Sequence, residues 1–156
     1  MTGHDILNRQ IGNSLTEVLF QSYFFEGILS DKINVLFLKF DTWLHVTVSD
    51  EKTIIKHFDT LEEIKPTTIS ETETFNYTLT KIQSAFPDFD KFIGQTLVAF
   101  NELVWQDNND ISCGIIFYFD KGDKFVLYDE WLDDDWHMNL SFSAVLPDKT
   151  IVSSQM

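Results

Sequence analysis

The stretch from Asp129 to Trp136, which reads DEWLDDDW, places five carboxylates and two tryptophans within eight residues. Grouped carboxylates can ligate Ca²⁺, can act as an acid and base pair, or can attract a basic partner. An EF-hand loop needs a glycine and a distal glutamate at fixed positions, and neither this stretch nor Asp107–Asp110 supplies them. Acid and base roles need two carboxyl groups that face each other across a cleft, which spacing alone cannot show. The composition therefore favours a surface that binds a partner.

The same stretch combines the two ingredients of a protein interface. Tryptophan gives a large apolar contact, and carboxylates steer a cationic partner toward it. Two placements of Trp131 and Trp136 stay open: both lie on one exposed face of an irregular loop, or one or both fill the core beneath a hairpin. Adjacent aspartates are costly to desolvate and are expected at the surface. The predicted partner-binding residues are Asp129, Glu130, Trp131, Asp133, Asp134, Asp135 and Trp136.

No other constellation of residues supports catalysis, metal binding or cofactor binding. The chain has no Gly-x-Ser-x-Gly motif and no phosphate-binding glycine loop, and its four histidines are dispersed. Cys113 lies in an apolar run, where a thiol is expected to be a buried small hydrophobe. We therefore predict no catalytic residue, no metal ligand and no cofactor. The alternative is a small-molecule or metal-dependent enzyme with its site between two sheets.

The charge of the whole chain narrows the class of partner. The 156 residues carry a formal net charge of -14, and 44% of them are hydrophobic, which is enough apolar material for one core. Such a negative field repels nucleic acid and anionic lipid, so we expect binding to neither nucleic acid nor membrane. Basic proteins are the expected partners. The single cysteine and the lack of a signal-like start predict a cytoplasmic protein.

Three short blocks occur twice in the same order. IGNSL, NVLFLKFD and HVTVSDE in the first half are answered by IGQTL, CGIIFYFD and KFVLYDE in the second. Because the order and nearly the spacing are kept, the pattern predicts an internal duplication inside one compact unit, residues 1–156. The copies would span 1–65 and 77–156, with a linker at 66–76. Chance similarity between alternating strands is the alternative.

Each copy is predicted to consist mostly of antiparallel strands, because its β-branched and aromatic runs are short and end at turn residues. The fold class is therefore α+β, predominantly antiparallel β, with two pseudo-repeated halves that each contain a β-hairpin and with a few short helices. Gly122 suits a tight hairpin turn, and Asp41-Thr42 closes the corresponding hairpin. The other predicted elements are strands at Leu15–Phe25, Leu97–Trp105, Phe75–Ile82 and Trp136–Val145, loops at Glu26–Lys32 and Gln106–Asp110, and helical turns at Ile6–Ile11, Phe86–Gly94 and Thr60–Lys65.

A resemblance to a known class of proteins rests on the strand sequence GIIFYFDKGDKFVLYDE at Gly114–Glu130 and on a fainter version of it at Asn34–Glu51. With its small size, acidity and lack of cysteine pairs, the chain resembles the immunity proteins of bacterial polymorphic-toxin and contact-dependent inhibition systems. The resemblance covers under half of the chain and assigns no residue. It implies a protein that neutralises a basic nuclease or pore-forming toxin by covering or distorting its active site.

Overall fold

The computed structural model of the chain describes residues 1–60, 62, 75–132, 135–143 and 145–153. Within them the chain forms ten strands, all joined through antiparallel pairing. The strands are β1 Glu17–Phe25, β2 Ile28–Lys39, β3 Trp43–Ser49, β4 Lys52–Phe58, β5 Phe75–Lys81, β6 Leu97–Trp105, β7 Asn108–Phe119, β8 Lys124–Leu132, β9 Asp135–Ser141 and β10 Thr150–Val152.

Helical structure in the described residues is short. A five-residue helix, α1, spans His4–Asn8, and two 3-10 helices span Ile82–Ser84 and Pro87–Phe92. Pro87 begins the second 3-10 helix, and Gly94, at φ 86°, follows its end. Proline suits a first turn because it has no N–H to leave unpaired there, and glycine tolerates positive φ. None of the described helices has the length and apolar character needed to cross a membrane.

The ten strands fall into two halves with the same order of neighbours. In the first half the order is β5-β1-β2-β3-β4, and in the second it is β10-β6-β7-β8-β9. In each half, therefore, successive strands form hairpins and the last strand returns to lie beside the first.

The halves meet where β2 changes its neighbour. Toward its end, β2 pairs with β3, from Leu36 opposite Val46 to Lys39 opposite Trp43. Earlier in the same strand, Ile33 pairs with Met138 of β9. β2 therefore changes partner along its length, from β9 to β3, and we call this point the fork in β2.

A second junction lies between the repeated IGNSL and IGQTL blocks. The N–H of Gly12 donates to the carbonyl of Leu97 (2.8 Å), and the N–H of Gly94 donates to the carbonyl of Leu15 (2.7 Å). A second reciprocal pair runs from Leu15 to Gln95 and from Leu97 to Asn13. Each block thus makes to the other the contact that the other makes to it.

One apolar core spans both halves. Strands from the first half, such as β2 with Leu36 and Leu38, share a buried cluster with Phe117 and Phe125 of the second half. The Phe117 and Phe125 rings stack with centroids 4.7 Å apart, and Phe89 lies 4.8 Å from Phe125. Each buried phenylalanine contributes about 2 to 3 kcal/mol through removal from water. The halves therefore depend on each other for stability.

The predicted hairpins are confirmed. Phe117 pairs with Phe125 across the Gly122 turn, and β2 pairs with β3 across Asp41-Thr42. The strand predicted at Leu97–Trp105 has these bounds, and short helices occupy parts of Ile6–Ile11 and Phe86–Gly94.

The two polar loops were predicted wrongly. The segments Glu26–Lys32 and Gln106–Asp110 consist mostly of strand, because β2 begins at Ile28 and β7 at Asn108, each after a two-residue turn. A hairpin can hold polar residues in its strands where both faces are exposed, and Ile28 and the two residues after it are exposed.

Two strands were missed and two other predictions lie largely outside the described residues. β4 reads KTIIKHF, in which apolar and polar residues do not alternate, and β10 is only three residues long, too short to show a pattern. Most of Thr60–Lys65 and of the linker at 66–76 is outside the described part of the chain. The last two residues of that linker, Phe75 and Asn76, already belong to β5.

Candidate functional site

The described residues of the stretch predicted to bind a partner belong to the paired strands β8 and β9, and not to an irregular loop. Trp131 lies directly opposite Trp136, and Leu132 lies opposite Asp135. The two indole rings meet edge to face, with centroids 5.3 Å apart. Trp131 is 55% exposed and Trp136 is 45% exposed. The tryptophans therefore form a cross-strand pair on the surface and do not fill the core.

This pair continues the inner face of the sheet. Side chains alternate along a strand, so Asp129 and Trp131 share a face with Leu127, which is fully buried. Their cross-strand partners, Met138 and Trp136, lie on that face as well. Along β8, this face carries the buried Leu127, then the partly buried Asp129 and then the exposed Trp131. The face that lines the core therefore becomes exposed to solvent toward the end of β8.

A cleft of about 680 Å³ opens beside this hairpin, at the fork in β2. Its walls come from both halves of the chain, because β2, the β3–β4 turn, β7 and β9 all contribute to it. In the lining, the backbone N–H of Val48 donates to the sulfur of Met138 (N to S, 3.3 Å), which links β3 to β9. The fork in pairing is therefore the structural cause of the cleft.

The lining of the cleft has three chemical parts. Trp105 and Trp136 form an aromatic part, with ring centroids 6.2 Å apart and the rings edge to face. Apolar side chains form a second part: Ile33, Val35, Val48, Ile111, Cys113 and Met138. Carboxylates form the third: Asp31, Asp50, Glu51, Asp129 and Asp135. No basic side chain is among the described residues that line it, so the cleft is strongly negative.

Asp129 is the carboxylate most affected by this environment. Partial burial raises its pKa from 3.8 to about 7, and the negative charges of Asp31, Asp50 and Asp135 add to the rise, while His137 opposes it. His137 is itself close to Asp31, with Nδ1 and Oδ1 2.6 Å apart. No hydrogen bond from a described residue stabilises the charged form of Asp129. A carboxyl group in this state exchanges its proton near neutral pH.

The residues predicted to bind a partner differ in their position relative to the cleft. Asp129, Asp135 and Trp136 line the cleft, and Trp131 extends the aromatic surface beyond it. Glu130 accepts a hydrogen bond of 2.9 Å from Asn139 within the hairpin and does not line the cleft. Asp133 and Asp134 lie outside the described residues.

Cys113 is 4% exposed, and burial raises the pKa of its thiol to about 11, with the charges of Asp129, Glu51 and Glu102 as lesser causes. The thiol therefore stays protonated at neutral pH and is a poor nucleophile. In the described part of the chain, no group of three or more His, Cys, Asp or Glu side chains is arranged to hold a metal ion.

The residues that the first half contributes to the cleft were not predicted from the sequence. Asp50 and Glu51 carried a signal, because they occupy in the HVTVSDE block the place that Asp129 and Glu130 occupy in KFVLYDE. Asp31 and Trp105 carried none, since their position depends on strand pairings between residues far apart in the chain.

Comparison of the chain with protein-family models, with curated proteins and with solved structures finds no match.

Proposed function

We propose that this protein is a noncatalytic binding module that captures a basic protein partner through the β8–β9 hairpin and the cleft beside it. The observation that carries the proposal is the exposed Trp131–Trp136 pair at the mouth of a cleft with five carboxylates in its lining. Large aromatic side chains in contact with solvent are costly to leave uncovered, and they are frequent anchors of protein interfaces.

The charges and the rings have separate roles in this proposal. The negative potential, from a net charge of -14 and the acidic cleft, accelerates the encounter with a cationic partner. The indoles supply the desolvated contact that keeps the complex together. Charge therefore governs the association rate, and the tryptophans govern the dissociation rate.

The partner class follows from the same chemistry. A basic toxin domain met in the cytoplasm fits the acidic surface and agrees with the resemblance to immunity proteins. Capture of this kind needs no catalytic residue in the binding protein. Nucleic acid and anionic membrane remain unfavourable partners, because both carry negative charge.

Affinity capture from the native cell, at low and at high salt, tests the proposal. Replacing Asp133, Asp134 and Asp135 together by Asn should slow association and flatten its salt dependence. Trp131→Ala should mainly accelerate dissociation, with a loss of roughly 2 to 4 kcal/mol in affinity if it is a hot spot. The proposal is wrong if the triple variant associates at the unchanged rate at low salt.

A matched control separates local from total charge. Asp59, Asp88 and Asp90 are exposed and do not line the cleft, so their triple Asn variant changes the net charge equally. It should leave the association rate within about twofold, because charges beyond a Debye length of ~10 Å are largely screened.

A second candidate is an enzyme with its site in the same cleft. The observation in its favour is the pKa of about 7 at Asp129, since a carboxyl group that titrates near neutrality suits general acid–base chemistry. The two candidates differ in what Asp129→Asn does. In an enzyme it abolishes turnover and leaves ligand binding intact, whereas in a binding module it changes affinity alone.

We also propose that the two halves arose by duplication. The shared strand order, the two hairpins in corresponding places and the reciprocal hydrogen bonds between the IGNSL and IGQTL blocks support this. Reciprocal contacts are characteristic of a two-fold interface between identical units. Superposition of β1–β4 on β6–β9 tests the idea: it should place Gly12 on Gly94 and Asp50 on Asp129. A superposition that matches other residues would show that the repeat is accidental.

A further inference from the structure

The size of the cleft limits what can occupy it. At about 680 Å³ it is in the range of small-molecule sites, which is roughly 300 to 1,000 Å³, and it exceeds the volume of a single metal ion many times. Its carboxylates lie around the lining and do not converge as a ligand set among the described residues. The occupant is therefore a group with a body as well as a charge.

The lining specifies that the body is aliphatic and the charge positive. Ile33, Val48 and Met138 offer an apolar floor on which methylene groups can pack. Trp105 and Trp136 offer aromatic rings that attract cations. Within the chain, Lys149 Nζ lies 5.9 Å from the ring centroid of Trp105, which is within the range of a cation–π contact.

We infer that the cleft binds the guanidinium side chain of an arginine that the basic partner inserts, an inference that rests on the proposed function. Arginine fits better than lysine for two reasons. Its planar head stacks on indole rings, and its fork of donors can pair with a carboxylate through two parallel hydrogen bonds. Asp129 is suited to accept them, since no described residue already does so.

Arginine binding is coupled to loss of the Asp129 proton. Among the described residues, the charged groups that act on Asp129 are Asp31, Asp50, Asp135 and His137, while Glu51 and the thiol of Cys113 lie in the same lining. In this set His137 alone can offset negative charge. An inserted guanidinium supplies the missing positive charge and favours the ionised carboxyl. Affinity therefore rises as the pH increases from 6 to 8, and binding releases a proton.

The test titrates three probes into the full chain, with tryptophan fluorescence and backbone-amide NMR shifts as readouts. The probes are the peptide acetyl-Gly-Arg-Gly-amide, its citrulline counterpart and free agmatine. Citrulline keeps the shape of arginine without the charge. The arginine peptide should shift the amides of Ile33 and Val48 and bind about tenfold more tightly than the citrulline peptide, equivalent to about 1.4 kcal/mol.

Variants of the chain then locate the site. Asp129→Asn and Trp136→Ala should each weaken the arginine peptide by about fivefold or more, and Asp129→Asn should also remove the dependence on pH. The matched control Asp88→Asn removes one exposed carboxylate outside the cleft and should change affinity by less than about twofold.

Three outcomes of these titrations would overturn the inference. Equal binding of the arginine and citrulline peptides would exclude charge recognition, and equal losses in Asp129→Asn and Asp88→Asn would show only general attraction. Agmatine binding tenfold more tightly than the peptide would make the ligand a free small cation. The proposed function has its own test, because a captured partner that depends on Trp131 but not on Asp129 would remove the cleft inference and leave the proposal standing.

Discussion

Replacing Asp129 by Asn should make the fold more stable, and more so at high pH. The folded-state pKa of about 7 lies above the ordinary value of 3.8. Between these values the native state holds a proton that the unfolded state has lost, so stability falls as the pH rises from about 4 to 7 and then stays level. The change is roughly three pKa units at 1.36 kcal/mol each, a ceiling of about 4 kcal/mol. Asparagine cannot ionise and escapes this loss.

Urea unfolding at pH 5 and pH 8, followed by tryptophan fluorescence, measures the effect. Because Asp129 keeps some contact with solvent, we expect the gain from Asp129→Asn to be about 1 to 2 kcal/mol larger at pH 8 than at pH 5. Asp88→Asn serves as the control, since that carboxylate is exposed and outside the cleft. A gain that is equal at the two pH values, or absent at pH 8, would refute the reasoning. A confirmed gain would mean that the native residue sacrifices stability, as residues at binding sites often do.

Four further substitutions probe the fold. Burial lowers the pKa of His45 to about 4, with Lys56 as a lesser cause, so the native state should lose up to about 3 kcal/mol of stability as the pH falls from 6.5 to 4. His45→Phe should flatten that decline, measured as urea midpoints between pH 5 and pH 7. Gly114→Ala should destabilise by about 3 kcal/mol or more in urea unfolding, because the new Cβ would lie 2.3 Å from the backbone oxygen of Leu127. Gly12→Ala and Gly94→Ala should each cost about 1 to 2 kcal/mol by the same assay, since both have positive φ and open space around them, and a clear inequality would contradict their equivalence.

Local sequence signals were sufficient for the elements that depend on neighbouring residues. Gly122 placed the β7–β8 hairpin, and Pro87 and Gly94 bounded a helical segment, because turn chemistry acts within a few residues. The polar starts of β2 and β7 were missed for the same reason. Their strand conformation comes from pairing with β1 and β6, and composition alone predicted loops.

The candidate site was predictable only in part. The carboxylates and tryptophans of the β8–β9 hairpin were found because they are adjacent in the chain, although the alternation that exposes Trp131 and Trp136 on one face required the strand register. The cleft itself was not predictable. It exists because β2 exchanges β3 for β9 along its length, a change that no local pattern announces.

The change of pairing partner along β2 also determines when the cleft can form. Asp31 and His137, which meet at 2.6 Å, are 106 residues apart, and Val48 and Met138 are 90 apart. Contacts of such long sequence separation form late, because the ends of a long loop must first come together. During synthesis, β2 and β3 leave the ribosome well before β9, so a nascent chain has one wall of the cleft without the other. The cleft is therefore complete only after β9 has been made and has paired with β2.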